Sequence, residues 1–215
     1  MTLGIIRVLT THDDALLQEH GRLIHEAYGL ESTSRCIPDQ FSGIYDAASE
    51  AIAIPKIVAL GREMHAAGCK ALFLSCAADP GLAALRAAVP IPVIGAGSTT
   101  ARVAKLLGLP TAVIGIGSAA PQPFRTLLGE HVRYVQPRGV QKTTDLLTPA
   151  GREATLEAAR ELYATGTRVI AFSCTGLSTI GMANIIAEQL GGVAIDAVNA
   201  AGMFAVELLG KSINR

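Results

Sequence analysis

Short runs of apolar and β-branched residues alternate along the chain with longer stretches in which apolar residues return every three or four positions. The runs are strand-length, rich in β-branched residues and closed by Gly, Pro or polar residues, which reads as buried strands; the longer stretches read as amphipathic helices. Strands are predicted over 4–9, 32–37, 71–74, 92–94, 111–116, 132–135, 169–172 and 193–195. Helices are predicted over 13–28, 45–67, 80–88, 99–107, 122–128, 149–165, 178–189 and 199–209. Pro55 stands inside the second helix and is expected to kink or divide it, because proline removes a hydrogen bond and crowds the preceding turn. Such alternation marks α/β structure with parallel sheets.

The elements form two sets of the same order. Strand, helix, strand, long helix, strand, helix, strand, helix describes the chain from Gly4 to Leu107 and again from Thr111 to Leu209. Placing Gly108 over Gly210 sets Pro92-Val-Ile beside Ala194-Ile-Asp and Ala104-Lys-Leu-Leu beside Val206-Glu-Leu-Leu. The expected fold is α/β, with two similar lobes whose parallel sheets are related by a pseudo-twofold and whose active site lies in the interlobe cleft. Residues 1–97 plus 198–215 are assigned to the first lobe and 98–197 to the second, the final helix crossing back.

Composition narrows the partners. The chain has 215 residues, half of them apolar, which excludes disorder. Eighteen Lys and Arg balance eighteen Asp and Glu, with no basic cluster. Nucleic acid, whose phosphates need clustered cations, is therefore not an expected partner. No apolar run reaches the length of a membrane span, and no secretion signal is recognised before the first strand, so no membrane partner and a cytoplasmic location are expected. Four cysteines in such a chain read as thiols. A small-molecule substrate is the expected partner, and a homo-oligomer is compatible with the sequence.

Two cysteines carry the candidate chemistry. Ser75-Cys76 and Ser173-Cys174 each close a buried-looking strand at matched positions of the two sets. Ligands of parallel sheets bind beyond the carboxyl ends of strands. Asp79-Pro80 reads as the cap of the helix after Cys76, and Ser178 as a cap after Cys174. A helix N-terminus beside each sulfur would favour a thiolate, and the small residues Ala77, Ala78, Thr175 and Gly176 would let a ligand approach the backbone. Cys36 and Cys69 lack this setting and read as packing residues.

Other signals are weaker. Gly115-Ile-Gly-Ser-Ala-Ala120 follows a strand and fits the dinucleotide fingerprint, but Pro121 crowds the helix start and the next strand ends in Gln136-Pro-Arg138 without the acidic ribose ligand. No cofactor is expected. The histidines His12, His20, His25, His65 and His131 are scattered without metal-ligand spacing, so no metal is expected either. His20 and His25 are predicted on a solvated helix face, and His12 in a loop. Asp39-Gln40 either touches substrate or steadies the turn before Gly43.

The chain resembles the aspartate/glutamate/hydantoin racemase superfamily. Cys76-Ala-Ala-Asp-Pro-Gly-Leu, Pro92-Val-Ile-Gly-Ala-Gly, Cys174-Thr-Gly and Ala194-Ile-Asp resemble the hydantoin and allantoin racemase branch. Glutamate racemases follow their first cysteine with Asn-Thr and their second with Thr-His, where this chain has Ala77-Ala78 and Thr175-Gly176. The resemblance implies a cofactor-independent isomerase that racemises a 5-substituted hydantoin or related small molecule, with Cys76 and Cys174 as the proton-transferring pair. Thr10, Ala77, Gly97, Ser98, Ser118, Thr175 and Gly176, at strand ends around the cleft, are the candidate substrate-binding residues. Alternatives are an Asp/Glu-type amino-acid racemase, a maleate-type cis–trans isomerase, or a non-catalytic two-lobed binding protein.

Overall fold

A computed structural model describes residues 2–210. Met1 and residues 211–215, assigned above to the first lobe, lie outside the described residues. The first set of elements comprises β1 (Leu3–Arg7), α1 (Asp14–Tyr28), β2 (Ser32–Cys36), α2 (Ala47–Ala66), β3 (Ala71–Ser75), α3 (Leu82–Ala88), β4 (Val93–Gly95) and α4 (Ala96–Leu106). The second comprises β5 (Thr111–Ile114), α5 (Gln122–Leu128), β6 (Arg133–Val135), α6 (Thr143–Leu146), α7 (Pro149–Ala164), β7 (Val169–Phe172), α8 (Gly176–Thr179), α9 (Met182–Leu190), β8 (Val193–Ile195) and α10 (Ala197–Leu209).

The strands form two parallel four-stranded sheets of identical order, β2-β1-β3-β4 and β6-β5-β7-β8. Every residue of β1, β3 and β7 is buried, as expected for central strands covered on both faces. The edge strands β2 and β6 alternate or stay open. Register places Arg7 beside Ser75 in the first sheet, and Ile114 beside Phe172 in the second. The Ser-Cys steps thus leave their sheets at equivalent places, each at the end of the strand third in the order.

Helix placement makes the two sheets share a core. α4 lies against α5, β7 and β8 of the second set, and α10 lies against α1, β3 and β4 of the first. The largest apolar cluster accordingly mixes Leu3, Ile5 and Phe73 with Val113, Phe124 and Val169, and with alanines of α4 and α10. Small residues there let helix and sheet backbones approach closely. Separate clusters fill the outer side of each sheet.

The structure corrects three local expectations. α2 runs unbroken from Ala47 to Ala66 through Pro55, held at its start by a capping box between Asp46 and Ser49. The segment predicted as one helix after Cys174 divides into α8 and α9, because Gly181 takes a left-handed conformation at φ 65°. The short α6 fell in a stretch predicted as a loop.

Candidate functional site

A cavity of about 430 Å³ opens at the carboxyl ends of both sheets, a size suited to one small ligand. From the first set it is lined by Arg7, Ser75, Cys76, Ala77 and Ala78, and by Gly43–Ala47 and Glu50 around the start of α2. From the second come Ile116–Gln122, Arg125, Thr143, Leu147, and Ser173–Gly176 with Thr179. Cys76, Cys174, Ala77, Ser118, Thr175 and Gly176 therefore meet at one cavity.

Thr10, Gly97 and Ser98 do not line it. The Thr10 hydroxyl donates to the Ile37 carbonyl at 2.6 Å and accepts from the Gln40 amide at 2.7 Å, clamping the loop after β2. Gln40 itself steadies that loop through the Gly43 and Ser49 carbonyls. The Gly97 and Ser98 amides, expected to face substrate, donate instead to the two oxygens of Asp79 at 2.8 and 2.7 Å. Asp79, at φ 54°, thus caps α4 rather than α3, whose N-cap is Gly81. A Cβ at Gly97 would stand 2.0 Å from the Ala77 carbonyl oxygen, so α4 begins in direct contact with the turn that carries Cys76. Ser178 also serves the neighbouring helix, accepting from the Val198 amide at the start of α10.

The two thiols sit in unlike surroundings. Burial is the main influence on each and pushes both upward, overturning the expectation that helix termini would lower them. Cys76 is pushed up to about 12; the Ala78 amide opposes the shift, while Cys174, Asp79 and Glu50 add to it. Cys174 is raised by burial but accepts from the Gly176 and Leu177 amides and from the Thr143 hydroxyl, whose oxygen lies 3.9 Å from the sulfur. Gly176 permits this approach, since a Cβ there would meet the Thr143 methyl at 2.7 Å.

Below the thiols lies a residue that the sequence reading placed in solvent. His20 is wholly buried; its Nδ1 is 2.6 Å from the Ser75 hydroxyl and its Nε2 is 2.9 Å from the Thr179 hydroxyl. Thr175 completes the link by donating to the Ser75 carbonyl. Burial, reinforced by the Arg7 charge, holds the imidazole well below its usual value, against a hydrogen bond to the Thr175 backbone. His20 is thus a neutral brace between the two Ser-Cys steps. The signal was present in α1, where His20 shares the buried stripe of Gly21 and Ile24. The Arg7 signal was a charge inside an otherwise apolar strand. His25 is exposed, and His12 packs its ring against Phe41 at 5.8 Å.

Of the Gly115–Ala120 segment, Ile116–Ala120 line the cavity, and Gly115 packs behind them. A Cβ at Gly115 would lie 2.0 Å from the Ser173 Oγ and 3.0 Å from the Tyr134 hydroxyl, and that hydroxyl donates to the Gly117 carbonyl at 2.7 Å.

Comparison with known proteins agrees with this architecture. An allantoin racemase from Klebsiella pneumoniae superposes with a TM-score of 0.82 at 21% identity, over 100% of this chain and 90% of that one. An allantoin racemase from Pseudomonas fluorescens gives 0.77 at 17% identity, over 100% and 94%. A glutamate racemase isoform from Bacillus anthracis gives 0.68 at 16%, over 97% and 81%. No curated protein sequence matches significantly. The sequence model for Asp/Glu/Hydantoin racemase matches residues 14–205, which include both Ser-Cys steps and all but the first strand of the paired sheets, and the chain belongs to that family.

Proposed function

We propose that the protein is a cofactor-independent racemase that interconverts the enantiomers of a 5-substituted hydantoin or a related small molecule. One observation carries the reading: Cys76 and Cys174, leaving equivalent strands of two like sheets, line the same cavity. A thiolate on one side removes the proton from a carbon next to a carbonyl and becomes a thiol. The electron pair left on carbon delocalises into the carbonyl as a planar enolate. The opposite thiol then delivers its proton to the other face and becomes the thiolate, so the site ends with one proton on the pair, as it began. A hydantoin suits the scheme because its ring is planar and its C5 proton is acidified by the neighbouring carbonyl. The enolate is held by the Ser118 hydroxyl and the backbone around Ala77 and Gly176, a reading supported by their lining the same cavity. The similarity to allantoin racemases supports a cyclic ureide over an amino acid, as does the Thr175-Gly176 pair where glutamate racemases carry Thr-His.

The test incubates the protein with enantiopure 5-substituted hydantoins in deuterium oxide and follows optical rotation with C5 proton exchange by NMR. Loss of rotation accompanied by incorporation of one deuterium at C5 is the expected result. A panel of hydantoins and allantoin that neither racemises nor exchanges would sink the reading.

A further inference from the structure

The cavity wall holds a cation that the thiol chemistry does not use. Arg7 ends β1, is only 6% exposed and lines the cavity beside Ser75 and Cys76. Its Nη1 donates to the carbonyls of Leu16 and Leu17 at 2.8 and 3.0 Å, tying β1 to α1. That tie accounts for one nitrogen. Nε and Nη2 have no hydrogen-bond partner among the described residues and are not fully enclosed, on a residue that lines the cavity, which leaves them available to a ligand there. No carboxylate forms an ion pair with Arg7 among the described residues. The nearby Glu19 is held by Arg22 through two hydrogen bonds of 2.8 and 2.7 Å. Of the carboxylates lining the cavity, Asp46 caps α2 and Glu50 forms no ion pair with Arg7 among the described residues.

A buried guanidinium without a counter-ion is costly to keep, and its planar fork matches a carboxylate through two parallel hydrogen bonds. Burial lowers Arg7 to about 10, with Cys36 and Glu19 opposing the shift, so it stays a cation at neutral pH. The second lobe also brings an arginine to the cavity, Arg125, but that side chain is partly exposed and paired with Glu130 at 3.5 Å, and the lobe has no counterpart of Arg7. Its equivalent position, one residue beyond the Ile114–Phe172 pair, is Gly115, with Ser173 Oγ in the space a side chain would need. Of the two arginines on the cavity wall, Arg7 is the one left without an ion pair among the described residues, and it lies on the first-lobe side.

We propose that Arg7 binds an anionic group of the substrate, so that the site prefers carboxylated C–H acids, such as a hydantoin whose C5 substituent ends in a carboxylate. The proposal rests on the racemase reading for its chemistry but not for its binding test. Hydantoin-5-acetic acid and its neutral isostere hydantoin-5-acetamide are compared as substrates. Wild type is expected to show kcat/KM about tenfold or more higher for the acid, the size of one charge-assisted contact. Arg7→Gln should bring the two to parity through KM for the acid alone, while Arg7→Lys keeps part of the preference. Equal use of acid and amide by wild type, or an equal loss on both in Arg7→Gln, overturns the proposal. Should Arg7→Gln not fold, the wild-type ratio and Arg7→Lys still decide it. If neither compound racemises, the racemase reading fails separately, and calorimetric affinities of both compounds for the Cys76→Ser/Cys174→Ser protein then decide Arg7 by the same acid-to-amide ratio.

Discussion

The two Ser-Cys steps share strand position, sheet order and cavity, yet the groups around the two sulfurs differ. Around Cys174 the chain turns at once into α8, and two amides and the Thr143 hydroxyl point at the sulfur. Around Cys76 the turn is longer, α3 begins only at Leu82, and Asp79 and Glu50 bring negative charge nearby. Donors stabilise a thiolate and neighbouring carboxylates oppose one. The proposed two-thiol mechanism needs one thiol and one thiolate, and the donors around Cys174 favour it as the thiolate. Matching strand order supplies two equivalent positions, and their neighbours make them inequivalent.

The largest effects fall on the thiols. Cys76→Ser and Cys174→Ser should each reduce racemisation by about 10³-fold, within the range for removing one proton-transfer group. The comparison sharpens this. With Cys174 as the resting thiolate, Cys76→Ser should still exchange the C5 proton of one enantiomer for deuterium, whereas Cys174→Ser should lose exchange together with racemisation near neutral pH. Exchange surviving in Cys174→Ser and not in Cys76→Ser would reverse the assignment. Full racemisation by either variant would remove the two-thiol mechanism.

Much of this was legible in the sequence because it depends on local pattern. Short β-branched and apolar runs located all eight strands to within two residues at either end, and the repeated order gave the paired sheets. What sequence missed depends on contacts between elements distant in the chain. Asp79-Pro80 has the composition of a helix cap, but the Asp79 carboxylate reaches amides 18 and 19 positions away. His20 looked solvated because Glu19, Arg22 and His25 around it are polar, while its partners Ser75 and Thr179 lie 55 and 159 positions off. Thr143 belongs to a four-residue helix too short to leave a periodic signal.

Glycines beside the two steps give the next effect. A Cβ at Gly97 meets backbone at Ala77, and one at Gly115 meets the Ser173 Oγ, each at 2.0 Å. Backbone must be displaced bodily, whereas a serine hydroxyl can rotate. Gly97→Ala should therefore cost about 3 kcal/mol, at the upper end for overpacking, and Gly115→Ala about 1 kcal/mol. Denaturant melts would measure both. Adding Ser173→Ala to Gly115→Ala should recover most of its loss, and failure to do so would place the strain at Tyr134 instead. Equal costs in the two single variants would mean that both turns yield alike.

A graded effect separates the lobes by pH. His20, in the first lobe, braces Ser75, whereas the equivalent Ser173 donates to the Ile114 carbonyl, a group that does not titrate. The imidazole is held below its usual value of 6.5 in the folded protein, so the unfolded chain binds the proton first on acidification. Stability contributed by the neutral form is complete above pH 6.5 and is lost as pH falls, at about 1.4 kcal/mol per pH unit until the folded value is reached. Asp79 and Asp196, raised by burial, act in the opposite sense: the unfolded chain releases their protons first as pH rises above about 4, so they stabilise the fold as pH falls. The difference between wild type and His20→Gln isolates the histidine. Unfolding free energies measured from pH 7.5 to 5 should fall more steeply in wild type than in His20→Gln, by about that slope. Parallel curves would show that His20 accepts a proton in place, and that the brace between the two cysteine turns survives as an imidazolium.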